Sequence, residues 1–273
     1  MTKPRHASTR TTTRTTGQFV RTTSGSRSLE RGLSLLRAFR LGTGVLTNAE
    51  LAARTALPRP TVSRLTRSLV DAGFLVYDLD EQGYRLGVVV QSLALAHRSS
   101  QSALDLALPL MRGLAEGRRI NVGLAIADQT DMVYLDSVRW SRMGLFRRLV
   151  PGSRIPIAIT SLGRAHLAGL TATERTALLA RLAPEYGADW RRVAASIRQS
   201  SAQIKRMGYC WAEWQAGSVA IATPMRDPGG QRYALNISLP TYEAAAEPLA
   251  TEHGALLMAL AGDIHARWRE AWS

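Results

Sequence analysis

The chain has 273 residues, 45% of them hydrophobic, and 35 Lys+Arg against 21 Asp+Glu give a formal net charge of +14. That length suits one large or two ordinary domains with a real core, and the positive balance favours a polyanionic partner. A single cysteine, Cys210, excludes an intrachain disulfide and agrees with a cytoplasmic setting; no apolar run reaches the ~18–20 residues of a membrane span, and the N-terminus lacks the apolar segment of a secretory signal.

Residues 1–27 are rich in Thr, Arg, Ser and Gly and carry six basic side chains with no acid. Such a stretch cannot repay the entropy of ordering, so it is expected to be a disordered basic tail. It reads either as an arm that tracks phosphates or as an extension without a role.

In 28–40, SLERGLSLLRAFR, the residues Leu29, Leu33, Leu36 and Phe39 recur at helical spacing. Thr47 and Glu50 form a T-x-x-E capping box that starts a second helix, running to about Thr55. Ala56-Leu57-Pro58 breaks it, and a third helix is predicted from about Arg59 to Ala72, stopped by Gly73. Two β-prone runs, FLVYD and YRLG, flank Leu79–Gly83 as a hairpin. In order, these are the parts of a winged helix-turn-helix over 28–87, which lays its recognition helix in the major groove of double-stranded DNA.

Val62, Leu65 and Leu69 make the inward stripe of the third helix. Arg59, Thr61 and Ser63, near its start, are the candidate base readers, and Arg64 and Arg67 the candidate phosphate clamps. Asp78, Asp80 and Glu81 at the wing tip repel phosphate, leaving Arg85 at the wing base as the candidate backbone contact. Charge follows the same division. Residues 1–100 hold 15 Lys+Arg and 6 Asp+Glu, a surplus of nine, against 20 and 15 in the remainder.

Residues 88–100, VVVQSLALAHRSS, predict a linker helix. Beyond 101, a helix over 103–117 precedes strand-like segments 121–128, 131–140 and 143–150. Helical stretches 160–183 and 189–207 follow, with a second capping box at Thr171 and Glu174. Strands at 209–214, 218–227 and 232–240 and a helix over about 242–270 complete the chain. The interleaving predicts an α+β domain with a mainly antiparallel sheet over 101–273.

No catalytic set emerges. His6, His97, His166, His253 and His265 are scattered without metal-ligand spacing, and Cys210 has no adjacent base. No G-x-S-x-G elbow, Walker loop or dinucleotide glycine pattern occurs. The expectation is a protein that is not an enzyme and needs neither metal nor cofactor.

The chain resembles the IclR family of bacterial transcriptional regulators from about Ser28 to near its C-terminus. The resemblance is carried by SLERGLSLLRAF, NAELAARTALPRPTVSRLTRSLVDAGFL, GYRLG, PGSRIPIAITSLGRAHLAG, MGYCWAE, VAIATPMRD and LNISLP. It implies a GAF-like effector-binding domain behind the winged helix, assembly into dimers or tetramers, and control by a small organic carboxylate. The implied pocket is Gly144 and Arg147, then Ser161 and Leu162 at a helix start, Ala220, and Asn236 and Ser238 on the last strand. Ala220 stands where several members have a cysteine, Arg147 where some have an apolar residue, and 208–213 is about two residues short. Those departures, with Tyr209, Trp211 and Trp214 nearby, imply an aromatic or larger acid rather than glyoxylate or pyruvate. The alternative is a constitutive DNA-binding protein whose C-terminal domain only oligomerises.

Overall fold

The computed structural model describes residues 25–140, 149–241 and 246–273. The basic tail up to residue 24, most of the strand predicted over 143–150, and the first residues of the predicted C-terminal helix lie outside these.

The N-terminal domain packs α1 (Arg27–Arg37), α2 (Asn48–Thr55) and α3 (Arg59–Asp71) around Leu35, Leu46, Leu51, Val62 and Leu65. Both arms of the Thr47/Glu50 capping box form, satisfying amides that open α2. Ala56 then adopts φ 55°, and the chain turns directly into α3, which has Pro60 in its first turn. Gly73, at φ 75°, ends α3 in the left-handed conformation that glycine adopts without a steric cost. The wing is β1 (Leu75–Asp78) paired antiparallel with β2 (Gly83–Leu86).

The linker helix α4 (Val88–Ser99) buries no side chain and leaves Val88, Leu93 and Leu95 exposed. It leads to α5 (Ser102–Arg118), then β3 (Asn121–Asp128), β4 (Asp131–Val138) and β5 (Arg154–Pro156). The stretch expected to be helical over 160–183 is two helices, α6 (Ser161–Ala168) and α7 (Ala172–Tyr186). They separate at Gly169–Leu170, because Thr171 and Glu174 cap a new start. A 3-10 turn at Gly187–Asp189 precedes α8 (Trp190–Met207), β6 (Cys210–Gln215), β7 (Ser218–Arg226), β8 (Arg232–Pro240) and α9 (Ala246–Trp272).

The six strands form one antiparallel sheet in the order β5-β4-β3-β8-β7-β6. Alternation divides its side chains between two cores. Val122, Leu124, Val219, Ile221, Leu235 and Ile237 face α5 and α9. There Trp268 is fully buried and its Nε1–H donates to the Ala103 carbonyl at 2.8 Å. Ala125, Tyr134, Cys210, Ala222 and Ala234 face α6, α7 and α8. The smallest side chains lie on this second face, so α6 sits close to the sheet. Gly163 permits the approach on the other side of α6: a Cβ there would lie 2.1 Å from the Ile157 carbonyl oxygen.

The two domains meet through charge. Arg37 pairs with Asp128 and Arg40 Nη1 with Asp131 at 3.0 Å, both acids flanking the β3–β4 turn. Arg154 of β5 binds the same two carboxylates, at 2.6 and 2.9 Å.

Candidate DNA-reading helix and effector site

On α3, Val62 and Leu65 are buried and Leu69 packs on them, as the periodicity predicts; Thr66 joins them, its hydroxyl donating to the Ser63 carbonyl at 3.1 Å. At 100° per residue, Pro60, Arg64 and Arg67 fall opposite this stripe, with Arg59 and Ser63 on one flank and Thr61 on the other. Arg59, Ser63, Arg64 and Arg67 are exposed and Thr61 is half-buried. Among the described residues, no carboxylate pairs with Arg59, Arg64 or Arg67. Their charge is therefore available to a polyanion. Arg85 is also exposed but pairs with Asp78 within the wing. The other Asp78 oxygen accepts the amides of Asp80 and Glu81 at 3.0 and 2.9 Å. Asp78 is thus a turn cap with a partnered charge, and the acidity of the wing tip comes down to Asp80 and Glu81.

In the C-terminal domain, strand register brings Ala220, Asn236 and Ser238 onto the α6 face in two adjacent cross-sheet rows. One row is Ser137–Gly123–Asn236–Ala222–Cys210, and its neighbour is Asn121–Ser238–Ala220–Ala212. Gly123 is required: a Cβ there would lie 2.5 Å from the Tyr134 ring and 2.7 Å from Asn236 Oδ1. Ser161 and Leu162 begin α6 above the Cys210 end, and the Cys210 thiol donates to the Ser161 carbonyl at 3.6 Å. Both are buried, and Leu162 belongs to the α6-side core. Thr160 caps this helix, its hydroxyl taking the Gly163 amide at 3.2 Å, so one of the amides that a helix start leaves without an intrahelical partner is already satisfied. Gly144 and Arg147 lie outside the described residues.

Three further residues share this face that spacing alone did not single out. Tyr134 is buried on β4, and Arg139, just past the end of that strand, reaches across β3 to Ser238, Nη1 to Oγ at 3.4 Å. Burial lowers the Arg139 pKa and raises that of Tyr134, against the opposing influence of each group on the other. Ser137 completes the first row. The alternation of 131–140 was readable, but a bulge at Leu124/Ala125 shifts the pairing and changes which β4 residues meet β8.

At the β6 end, Ala212 opens into a cleft of about 480 Å³ whose lining includes Arg164, Ser200, Gln203, Trp211 and Trp214. Arg164 donates to the Ala158 carbonyl at 3.1 Å and to Ser200 Oγ at 3.4 Å. Tyr209 does not line the cleft: it lies one residue before Cys210 in the alternation and is buried on the opposite face, against Gly254 of α9. Trp211, one residue after Cys210, packs against that same α9-side core and meets the cleft at the sheet edge, while Trp214 packs on the α6 side. Cys210 is fully buried and burial pushes its thiol up to about 12, which leaves no thiolate for nucleophilic chemistry. Among the described residues, no group of His, Cys, Asp and Glu is arranged to hold a metal, and no helix is long and apolar enough to cross a membrane.

The IclR helix-turn-helix domain model matches residues 28–79, and the bacterial transcriptional regulator IclR C-terminal model matches residues 96–266. A relative from Comamonas testosteroni, the HTH-type transcriptional regulator TsaQ1/TsaQ2, is 26% identical over 89% of this chain and 89% of its own. Among solved structures, an IclR family transcriptional regulator from Brucella abortus superposes with a TM-score of 0.80 at 31% identity, covering 89% of this chain and 92% of that one. An IclR homolog from Microbacterium hydrocarbonoxydans, complexed with 4-hydroxybenzoate, superposes with a TM-score of 0.67 at 25% identity, covering 89% and 99%. The chain belongs to the IclR family of bacterial transcriptional regulators. It is a regulator with a helix-turn-helix and a C-terminal effector domain, not an enzyme.

Proposed function

We propose that this regulator is a cytoplasmic sensor of a small organic acid, of the aromatic or larger class, which binds the α6 face of the sheet and changes DNA binding or transcription. The observation that supports this best is the pair of adjacent rows holding Asn236, Ser238 and Ala220, which run into a cleft walled by Trp211 and Trp214. The 4-hydroxybenzoate on the Microbacterium homolog agrees with an aromatic acid. Ser161, Leu162, Gly144 and Arg147 complete the proposed pocket. On the DNA side, Arg59, Thr61 and Ser63 read bases, while Arg64, Arg67 and Arg85 hold phosphates, Arg85 by exchanging Asp78 for the backbone.

The protein acts as a homodimer or a dimer of dimers, which puts two copies of α3 into successive major grooves. The exposed apolar side chains of α1 and α4 (Leu29, Leu33, Val88, Leu93 and Leu95) favour self-association. The ligand signal crosses from the sensor through α4 and through the Arg37–Asp128–Arg154–Asp131–Arg40 cluster. Arg154 stands only a few residues before the loop that opens α6, so one segment touches both the site and the DNA-binding domain.

A thermal-shift screen of small carboxylates, followed by DNA titration with any hit, tests the reading. A hit that changes operator affinity supports it. No hit across a broad acid panel favours the constitutive alternative, in which the C-terminal domain only oligomerises.

A further inference from the structure

A guanidinium has five N–H donors and no way to shed its charge, so drawing one inward demands acceptors and, best, an anion. Among the half-buried arginines of this domain, Arg164 meets only a carbonyl and a hydroxyl, whereas two others show what pairing with an acid looks like. Arg154 holds two aspartates, and Arg232 forms a two-pronged pair with Glu174 at 2.8 and 2.9 Å. Arg139 has neither. Its Nε donates to the Leu149 carbonyl at 3.2 Å, its Nη1 to Ser238 Oγ at 3.4 Å, and its guanidinium carbon lies 5.5 Å from the centre of the Tyr134 ring. These partners are all neutral. The nearest acid in sequence, Asp136, is turned to its own chain, accepting the Ser137 amide. Among the described residues, no carboxylate pairs with Arg139.

A second observation lies in the row beside it. Ser137 Oγ and Asn236 Oδ1 are buried without a hydrogen-bond partner on either side of Gly123, although Tyr134, whose ring lies over that glycine, hydrogen-bonds the Asn236 side chain. Buried polar atoms left unpaired are uncommon and point to a missing partner. An amide oxygen accepts and never donates, so what completes Asn236 Oδ1 is an O–H or N–H group.

Resting on the acid-sensor reading above, we infer that Arg139 is the carboxylate anchor of the effector site, and that the Ser137–Asn236 row receives a hydroxyl on the same ligand. The effector class is therefore a hydroxycarboxylic acid. The reach of Arg139 from the end of β4 to Ser238 gives it fixed geometry for a bidentate grip.

The test is calorimetric titration of the full chain with two matched series: benzoate, 4-hydroxybenzoate and 4-hydroxybenzamide, and propionate, lactate and lactamide. In the series that fits, the hydroxy acid binds at least tenfold more tightly than the acid without the hydroxyl and than the uncharged amide. Arg139→Gln erases the preference for acid over amide. Arg139→Lys, which keeps the charge and guards against a folding artefact, restores part of it. Asn236→Ala lowers the hydroxyl preference. An Arg139→Gln protein that still prefers acid to amide overturns the anchor, and a hydroxyl that brings no gain overturns the ligand class. If no acid in either series binds the unaltered protein, the sensor reading itself fails; acid binding that ignores Arg139 sinks only this inference.

Discussion

The two domains handle arginine in opposite ways. On α3, Arg59, Arg64 and Arg67 are exposed and carry no paired acid among the described residues, so their hydrated charge is free to exchange water and counterions for phosphates. In the C-terminal domain, Arg139 and Arg164 are drawn inward onto neutral carbonyls and hydroxyls, while Arg154 and Arg232 are neutralised by carboxylates. A surface charge can be removed at little cost to the fold. Around an inward one, the backbone spacing, the small neighbours and the hydrogen bonds have all been fixed together.

Substitution at Gly163 breaks that contrast most sharply. Adding one methyl group there pushes α6 off the Ile157 backbone, and Gly163→Ala should destabilise the protein by about 3 kcal/mol, the upper end for overpacking. Thermal unfolding by circular dichroism reads it directly. An unchanged melting temperature would mean that α6 has more room than its contacts indicate.

On the DNA side, joint replacement of Arg64 and Arg67 by alanine should leave stability within about 0.5 kcal/mol. It should weaken binding to any duplex about a hundredfold at low salt and reduce the salt slope by roughly 2. Arg59→Ala or Thr61→Ala should instead narrow the gap between operator and random DNA by about 1–3 kcal/mol. Should Arg59→Ala lose affinity equally on both, it belongs with the phosphate clamps.

A smaller effect is expected from His166, held on α6 inside the sensor domain. Burial, assisted by the Arg232 charge and opposed by Glu174, lowers its pKa from 6.5 to about 4. As pH falls below about 6.5 the unfolded chain takes up a proton that the folded one refuses. Stability is therefore full above that pH and declines down to about 4, where both states are protonated. The loss is of order 2 kcal/mol, allowing for partial exposure. His166→Gln should flatten the urea-denaturation profile between pH 6.5 and 4; a slope as steep as in the unaltered protein would place the acid sensitivity elsewhere.

The least costly change should be Asp131→Asn at the junction between the domains. The pairs there are partly exposed, so a loss of about 1 kcal/mol or less is expected, fading with added salt. Its informative readout is coupling: an acid that binds should alter DNA affinity less in the variant. Full coupling in Asp131→Asn would assign the signal to α4 alone.

Much of the architecture was written locally. The capping boxes at Thr47/Glu50 and Thr171/Glu174 form as read, and the predicted bounds of β3 and β8 match those observed, because caps and alternation involve neighbours a few residues apart. Short or crowded elements were less legible. The three residues of β5 carry no periodicity, and the break at Gly169–Leu170 was hidden between two helix-favouring stretches.

By itself, then, the sequence determined the α3 helix and its inward stripe, the order of elements, the surplus of charge near the DNA-binding end and the family. Only the tertiary structure decided which residues share the α6 face of the sheet. Arg139 and Ser238 are 99 positions apart and Gly123 and Asn236 are register partners 113 apart, and no spacing rule links them. A bulge in β3–β4 and the parity of the strands determined that Arg139, Ser137 and Asn236 share a face and that Tyr209 does not. A helix surface repeats every few residues and can be read along the chain, whereas a sheet face is composed across strands, where one residue of slip sends every side chain to the other side.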